Sequence, residues 1–195
     1  LAYFLWYKPS FKVDKNSFAL VAEPVINSKR AINKKLMLNA VQLKKYSALK
    51  NYNTNYCFMM DMNLPSGKQR FYIYNLQKDS IELAGLVTHG SGSITDTDEL
   101  FFSNEPGSSC TSLGKYKIGK SYMGRFGLAY KLHGLDKTNN KAFERFVVLH
   151  GHSCVPATEV FPLSICPSLG CPTVAPAFLQ KLSSYIDESE KPILL

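Results

Sequence analysis

The sequence predicts a mainly β domain with some α-helix: a helical segment over residues 1–55, then a β-rich domain over residues 56–195. Three observations point there. Hydrophobic residues make up 45% of the 195 residues and charged residues 19%, the balance of a globular chain with room for one well-filled core. Apolar residues recur at loosely helical intervals only in the first quarter of the chain. From Tyr56 onward, short runs rich in β-branched and aromatic residues alternate with Gly, Asn, Asp and Ser, the pattern of strands and turns.

Within the helical segment, Ser17 is placed to cap a turn through "FALVAEP", and Pro24 is expected to separate that turn from a second helix. The stretch "SKRAINKKLMLNAVQLKKYSALK" sets Ile32, Leu36, Val41 and Leu49 toward a core. It also carries Lys29, Arg30, Lys34, Lys35, Lys44, Lys45 and Lys50. Tyr46 is the one aromatic residue among them and forms no series on which bases could stack, so these read as a solvated helix face packed on the main domain rather than a nucleic-acid site. The opening "LAYFLWY" reads either as the trimmed tail of an export signal or as an apolar N-terminus. No run reaches the apolar length that crosses a bilayer.

The expected strands are "YCFMMDM", "RFYIYNL", "LAGLVTHG", "KYKIG", "GLAYKLHGL" and "RFVVLHGH". Between the third and fourth lies "FFSNEPGSSCTSLG" (101–114), too long and polar for a hairpin turn and of the kind that carries function on a β scaffold. With 23 Lys and Arg against 15 Asp and Glu, the net charge is +8, which favours an anionic partner without choosing one.

Two of the four histidines and three of the five cysteines gather in "HGHSC" (150–154) and "CPSLGCPTV" (166–174). Three chemistries compete for them. The spacing H-x-H-x-C followed by C-x4-C fits no common zinc pattern, which leaves metal a minority reading. Cys154 with Cys166 is the natural local disulfide if the protein is exported, and would leave Cys171 free. The third reading is a thiolate nucleophile. Cys171 follows Gly170, which lets a substrate approach the backbone, and His150 ends an expected strand that would hold a base rigidly.

The order His150-Gly151, then Ser168-Leu-Gly170-Cys171, resembles the signature of the L,D-transpeptidase (YkuD-type) family, with the spacer 151–167 at the upper edge of the family's range. Upstream, "MDMNLPSGKQRFYIYNL", "GLVTHGSGS", "FFSNEPGSSCTSLGKYKIGKSYMGRFGLAYKLHGLD" and "ERFVVLHG" resemble the murein L,D-transpeptidase catalytic-domain branch over roughly residues 57–176. Two positions depart from it. Pro167 stands where the branch usually has Arg, and Leu169 where commoner YkuD proteins have His.

The resemblance implies an L,D-transpeptidase-type β-sandwich. Cys171 would attack the third residue of a peptidoglycan stem tetrapeptide and release D-Ala, with transfer to an amine as the expected outcome and hydrolysis by an L,D-carboxypeptidase as the alternative. A non-catalytic cationic peptidoglycan-binding domain is the alternative outside enzymes. His150 would act as base, the Gly151 carbonyl would fix its tautomer, and the N–H groups of Gly170 and Cys171 would form the oxyanion hole. Ser168 is expected either to meet substrate or to close the turn. His89, Ser103, Asn104 and Ser112 suit a groove wall or turn capping; Tyr122 and Arg145 would meet stem carboxylates or a local acidic partner; His133 and His152 are structural. No cofactor or metal and no nucleic acid are expected. The resemblance further implies export to the periplasm or cell envelope and acylation of the nucleophile by carbapenems; a monomer is expected, and the sequence leaves open a membrane anchor upstream of Leu1.

Overall fold

The computed structural model describes residues 19–96 and 99–195, with side chains from residue 32 onward, so the expected Ser17 cap lies outside the described residues. Helix α1 runs Ala19–Lys50 without a break. The expected interruption at Pro24 is therefore corrected: one proline near the start of a helix forfeits one amide bond to the preceding turn, and the remaining turns carry the helix through. The chain divides into two compact units, residues 1–36 and residues 37–195.

In the second unit, the last turns of α1 bury Ala40 and Ser47, whereas Val41 and Leu49, expected in the core, are exposed. Leu36, also expected in the core, is buried, so among the described side chains the buried positions of α1 are one larger apolar residue and two small ones. Lys44 Nζ donates to the Leu76 carbonyl at 3.0 Å, and Lys34, Lys35, Lys45 and Lys50 are exposed.

Two sheets follow. In the first, β1 (Tyr56–Met60), β2 (Phe71–Asn75) and β3 (Ser80–Gly85) form an antiparallel meander. In the second, β4 (Tyr116–Gly124), β5 (Gly127–Gly134), β6 (Val148–Gly151) and β7 (Thr173–Val174) lie in that order, with β7 parallel to β6. Phe58 and Ile73 from the first sheet meet Ile118, Leu132 and Leu149 from the second in one core. The chain end joins the sheets: Phe58 N–H donates to the Leu194 carbonyl at 2.8 Å and Tyr116 N–H to the Leu195 carbonyl at 2.7 Å.

Helix α2 (Pro176–Asp187) was not anticipated, although its signal is present. Pro176 sits in its first turn, where the missing N–H does no harm, and the buried Phe178, Leu179 and Leu182 follow the i, i+1, i+4 spacing of one helix face. The expected strand over 145–152 narrows to β6, because residues 137–146 form turns that end with Phe146 in the left-handed region, φ 55°.

Candidate active site

The parallel pairing of β6 with β7 brings the two cysteine and histidine motifs together. Across the second sheet, Tyr122 pairs with Ala129, Ala129 with His150, and His150 with Thr173, so these four residues stand in one row on one face. Tyr122 is two strands from His150, about 10 Å.

Cys171 lies in the turn just before β7. Gly170, preceding it, has φ +109°, and an added Cβ would come within 2.6 Å of the Cys110 carbonyl oxygen; only glycine fits that position. Three hydroxyls surround the carbonyl of Cys171: Ser168 Oγ at 2.6 Å, Thr88 Oγ1 at 3.1 Å and Thr173 Oγ1 at 3.5 Å. Ser168 also donates its N–H to the His89 carbonyl at 2.8 Å. The Cys171 turn is thereby fixed by polar side chains rather than by a regular ladder, and Ser168 acts in closing it.

Ser168 Oγ also accepts the Gly170 N–H at 3.1 Å. The expected oxyanion pair is corrected accordingly: the Gly170 donor is engaged within the turn. Among the described residues, the Cys171 N–H has no protein acceptor.

Cys171 Sγ lies 3.7 Å from the Phe146 carbonyl and 3.5 Å from the Val148 N–H. Burial raises the thiol above its ordinary pKa, while the Val148 N–H and the Arg145 guanidinium act in the opposite direction. His150 is held at both nitrogens. Nδ1 is 3.1 Å from the Gly151 carbonyl, which only accepts, so Nδ1 carries the proton and Nε2 keeps a lone pair. That lone pair faces Thr173 Oγ1 at 3.0 Å. Phe126 stacks on the ring, 5.2 Å between centroids and 15° from parallel. Burial lowers the imidazole below its usual range, against the Gly151 hydrogen bond. Both shifts favour the uncharged forms of thiol and imidazole, and neither of the two ring hydrogen bonds goes to Cys171.

Arg145 donates to the Ser103 carbonyl at 2.9 Å, to Ser108 Oγ at 3.4 Å and to the Cys110 carbonyl at 2.6 Å. It ties the 101–114 loop to the turns that precede β6, and these partners are neutral oxygens rather than an acidic group. Ser112 is buried with its hydroxyl 2.7 Å from Tyr116 OH, beside Gly170 at a small cavity under the turn. Ser103 Oγ accepts the Glu105 N–H at 3.1 Å, a local turn bond. Asn104 donates to the Lys137 carbonyl and to Asn140, away from the thiol. Lys131 lies over the Tyr122 ring at 5.8 Å. His152 accepts the Cys154 N–H at 3.1 Å, and His133 stacks on Phe143.

Cys154 and Cys166 are joined in a disulfide, 6.1 Å between Cα atoms, which removes both thiols from any ligand set. Among the described residues, no three His, Cys, Asp or Glu side chains converge on a metal position. Sequence reading missed Thr88, Thr173 and Phe126. The first two flank recognised motifs, in "VTHG" and "CPTV", and a hydroxyl next to a candidate nucleophile was the available signal.

A sequence profile of the L,D-transpeptidase catalytic domain matches residues 28–193. No curated protein matches the chain. Among solved structures, a point mutant of the helical cell shape determining protein Pgp2 from Campylobacter jejuni aligns at 13% identity over 73% of this chain and 47% of that one, with a TM-score of 0.45. The chain spans about half the length of that protein. With the profile covering nearly the whole of the second unit and part of α1, the chain belongs to the L,D-transpeptidase catalytic-domain family.

Proposed function

We propose that this domain is a cysteine L,D-transpeptidase acting on peptidoglycan stem tetrapeptides. Cys171 attacks the carbonyl of the third residue, expels D-Ala, and passes the acyl group to an amine of a second stem. The observation that carries this reading is the placement of Cys171 on a glycine-shaped, hydroxyl-pinned turn, its own N–H unengaged, beside the strand that presents His150.

The chemistry follows from the resting geometry. A raised thiol and a lowered imidazole form an uncharged pair, so the proton moves as substrate binds rather than beforehand. Rotation of Cys171 away from the Phe146 carbonyl, together with transfer of the Thr173 hydroxyl from Nε2 to the Cys171 carbonyl 3.5 Å away, exposes the base to the thiol. His150 then takes the proton and returns it to the departing D-Ala amine. The Cys171 N–H faces the developing oxyanion. Resolution by an amine requires that the amine be bound and oriented against bulk water, a positioning effect worth roughly 7 to 11 kcal/mol. The 101–114 loop, which Arg145 ties to the turns before β6, supplies a wall for such a site.

The net charge of +8 suits an anionic wall polymer, and the proposed setting is the periplasm or cell envelope, as a monomer. One observation favours a second reading, a non-catalytic peptidoglycan-binding domain: Thr173 occupies the base nitrogen at 3.0 Å. Incubation with purified disaccharide tetrapeptide, products separated by mass, tests the proposal. Cross-linked dimer is expected. Tripeptide with free D-Ala and no dimer would identify a carboxypeptidase instead. Absence of both products, with no carbapenem adduct on Cys171, would leave the binding domain.

A further inference from the structure

On the far side of the nucleophile turn, behind His89, lies a cleft of about 870 Å³ that does not include Cys171 in its lining. Its volume is that of a small-molecule site. Apolar side chains make about half of its lining, among them Met62, Leu64, Ile94, Leu100, Phe102 and Ile165. The other half is polar, and it includes a buried imidazole whose orientation the fold fixes.

That group is His89, nine-tenths buried, with a relative exposure of 9%. Its Nδ1 lies 3.0 Å from Arg70 Nη2. A guanidinium only donates, so Nδ1 is the acceptor and the ring proton sits on Nε2. Nε2 has no protein partner among the described residues, and His89 lines the cleft. Arg70 is fully buried and locked by the Val87 and Leu64 carbonyls, so the tautomer is fixed from behind. Burial and the Arg70 charge together hold the imidazole down to about 4, which leaves it an uncharged donor at working pH.

The surrounding charge decides what that donor meets. Arg70 is answered by buried Asp61, which raises its pKa against desolvation, and the exposed Glu99 carboxylate lines the same cleft. The local balance is one cation against two anions, which disfavours a carboxylate ligand. A neutral carbonyl oxygen satisfies the Nε2–H, and a small apolar group beside it fills the wall.

We propose that this cleft binds an uncharged acylamino group, its carbonyl oxygen on His89 Nε2–H and its methyl among Ile94, Leu100 and Phe102. Two sources share that chemistry: the N-acetyl group of an amino sugar, and the methyl-bearing amide of an alanyl unit. Which polymer presents the group rests on the wall-substrate reading above; the recognition itself does not. Because the His89 carbonyl holds Ser168 at 2.8 Å, an occupant of the cleft lies one hydrogen bond behind the nucleophile turn.

The test is ligand-observed NMR titration of the full chain with N-acetylglucosamine, glucosamine, N-acetylalaninamide and alaninamide. At least one acetylated probe is expected to bind, on the order of millimolar, and its amine counterpart at least tenfold more weakly. Ile94→Trp is expected to weaken binding at least tenfold; that residue is 54% exposed, so the substitution fills the cleft without entering the core. His89→Ala is expected to do the same by removing the donor. Binding of the sugar alone assigns the cleft to glycan, of the alanyl probe alone to peptide, and of both to the shared group. Equal binding of amine and acetylated probes, no effect of Ile94→Trp, or no binding of any probe would overturn the proposal. None of these readouts depends on turnover, so failure of the cleft and failure of the transpeptidase reading are separable.

Discussion

Replacing Thr173 by valine removes one hydroxyl and keeps the shape of the side chain, which isolates the hydrogen bond to His150. Thr173 is 3% exposed and His150 8%, and the bond is 3.0 Å long, so water replaces it poorly. The Nε2 lone pair would be left unsatisfied in a buried setting, which costs about 1 to 3 kcal/mol of fold stability. The same bond favours the neutral ring, because Thr173 donates to a lone pair that exists only in the uncharged form. Its loss should raise the His150 pKa from its lowered position toward the ordinary value. The measurement is the titration of the His150 ring protons by NMR in wild type, Thr173→Val and Thr173→Ser. Serine keeps the donor, so its midpoint should stay with wild type while valine moves upward. An unchanged midpoint in Thr173→Val, or equal shifts in both variants, would refute the hydroxyl as a contributor, beside burial, to the lowered His150 pKa.

Cys171→Ala should abolish turnover and leave the thermal midpoint near wild type, since the thiol makes only two weak polar contacts; substantial residual product would remove Cys171 from the chemistry. In the wild type, Cys171 should be the fastest of the free thiols toward iodoacetamide, because Cys57 is fully buried with its pKa pushed up to about 12 and Cys110 is buried; His150→Ala should slow that reaction at neutral pH, and an unchanged rate would break the pairing. Reducing the Cys154–Cys166 bond, which closes a separation of 12 residues, should lower stability by about 3 kcal/mol on chain-entropy grounds, read as a fall in the denaturation midpoint with reductant. Finally, a folded His89 held near 4 against an ordinary 6.5 binds fewer protons than the unfolded chain in that window. Stability is therefore complete above about pH 6.5 and falls as pH drops toward 4, by up to roughly 3 kcal/mol; denaturation of His89→Gln across this range should show a flatter slope.

The sequence alone determined what depends on neighbours along the chain. Strand runs such as "RFYIYNL" and "GLAYKLHGL" carry their own turn signals, and both form strands, β2 and β5. The glycine before Cys171 and the ordered motifs around it placed the chain in its family, and Cys154 and Cys166 were close enough in sequence to be paired. The tertiary structure decided what depends on which strands meet. Only the parallel pairing of β6 and β7 sets Thr173 beside His150, and no local pattern foretells a contact across 23 residues. Gly170 was legible as a turn residue, but whether its N–H points at a substrate or at Ser168 is fixed by a hydroxyl that also bonds the His89 and Cys171 carbonyls. His89 itself was recognised as a polar group in a loop motif. Its role as a fixed donor came from Arg70, 19 residues earlier, because burying a guanidinium demands acceptors from several segments at once, and only the folded chain supplies them.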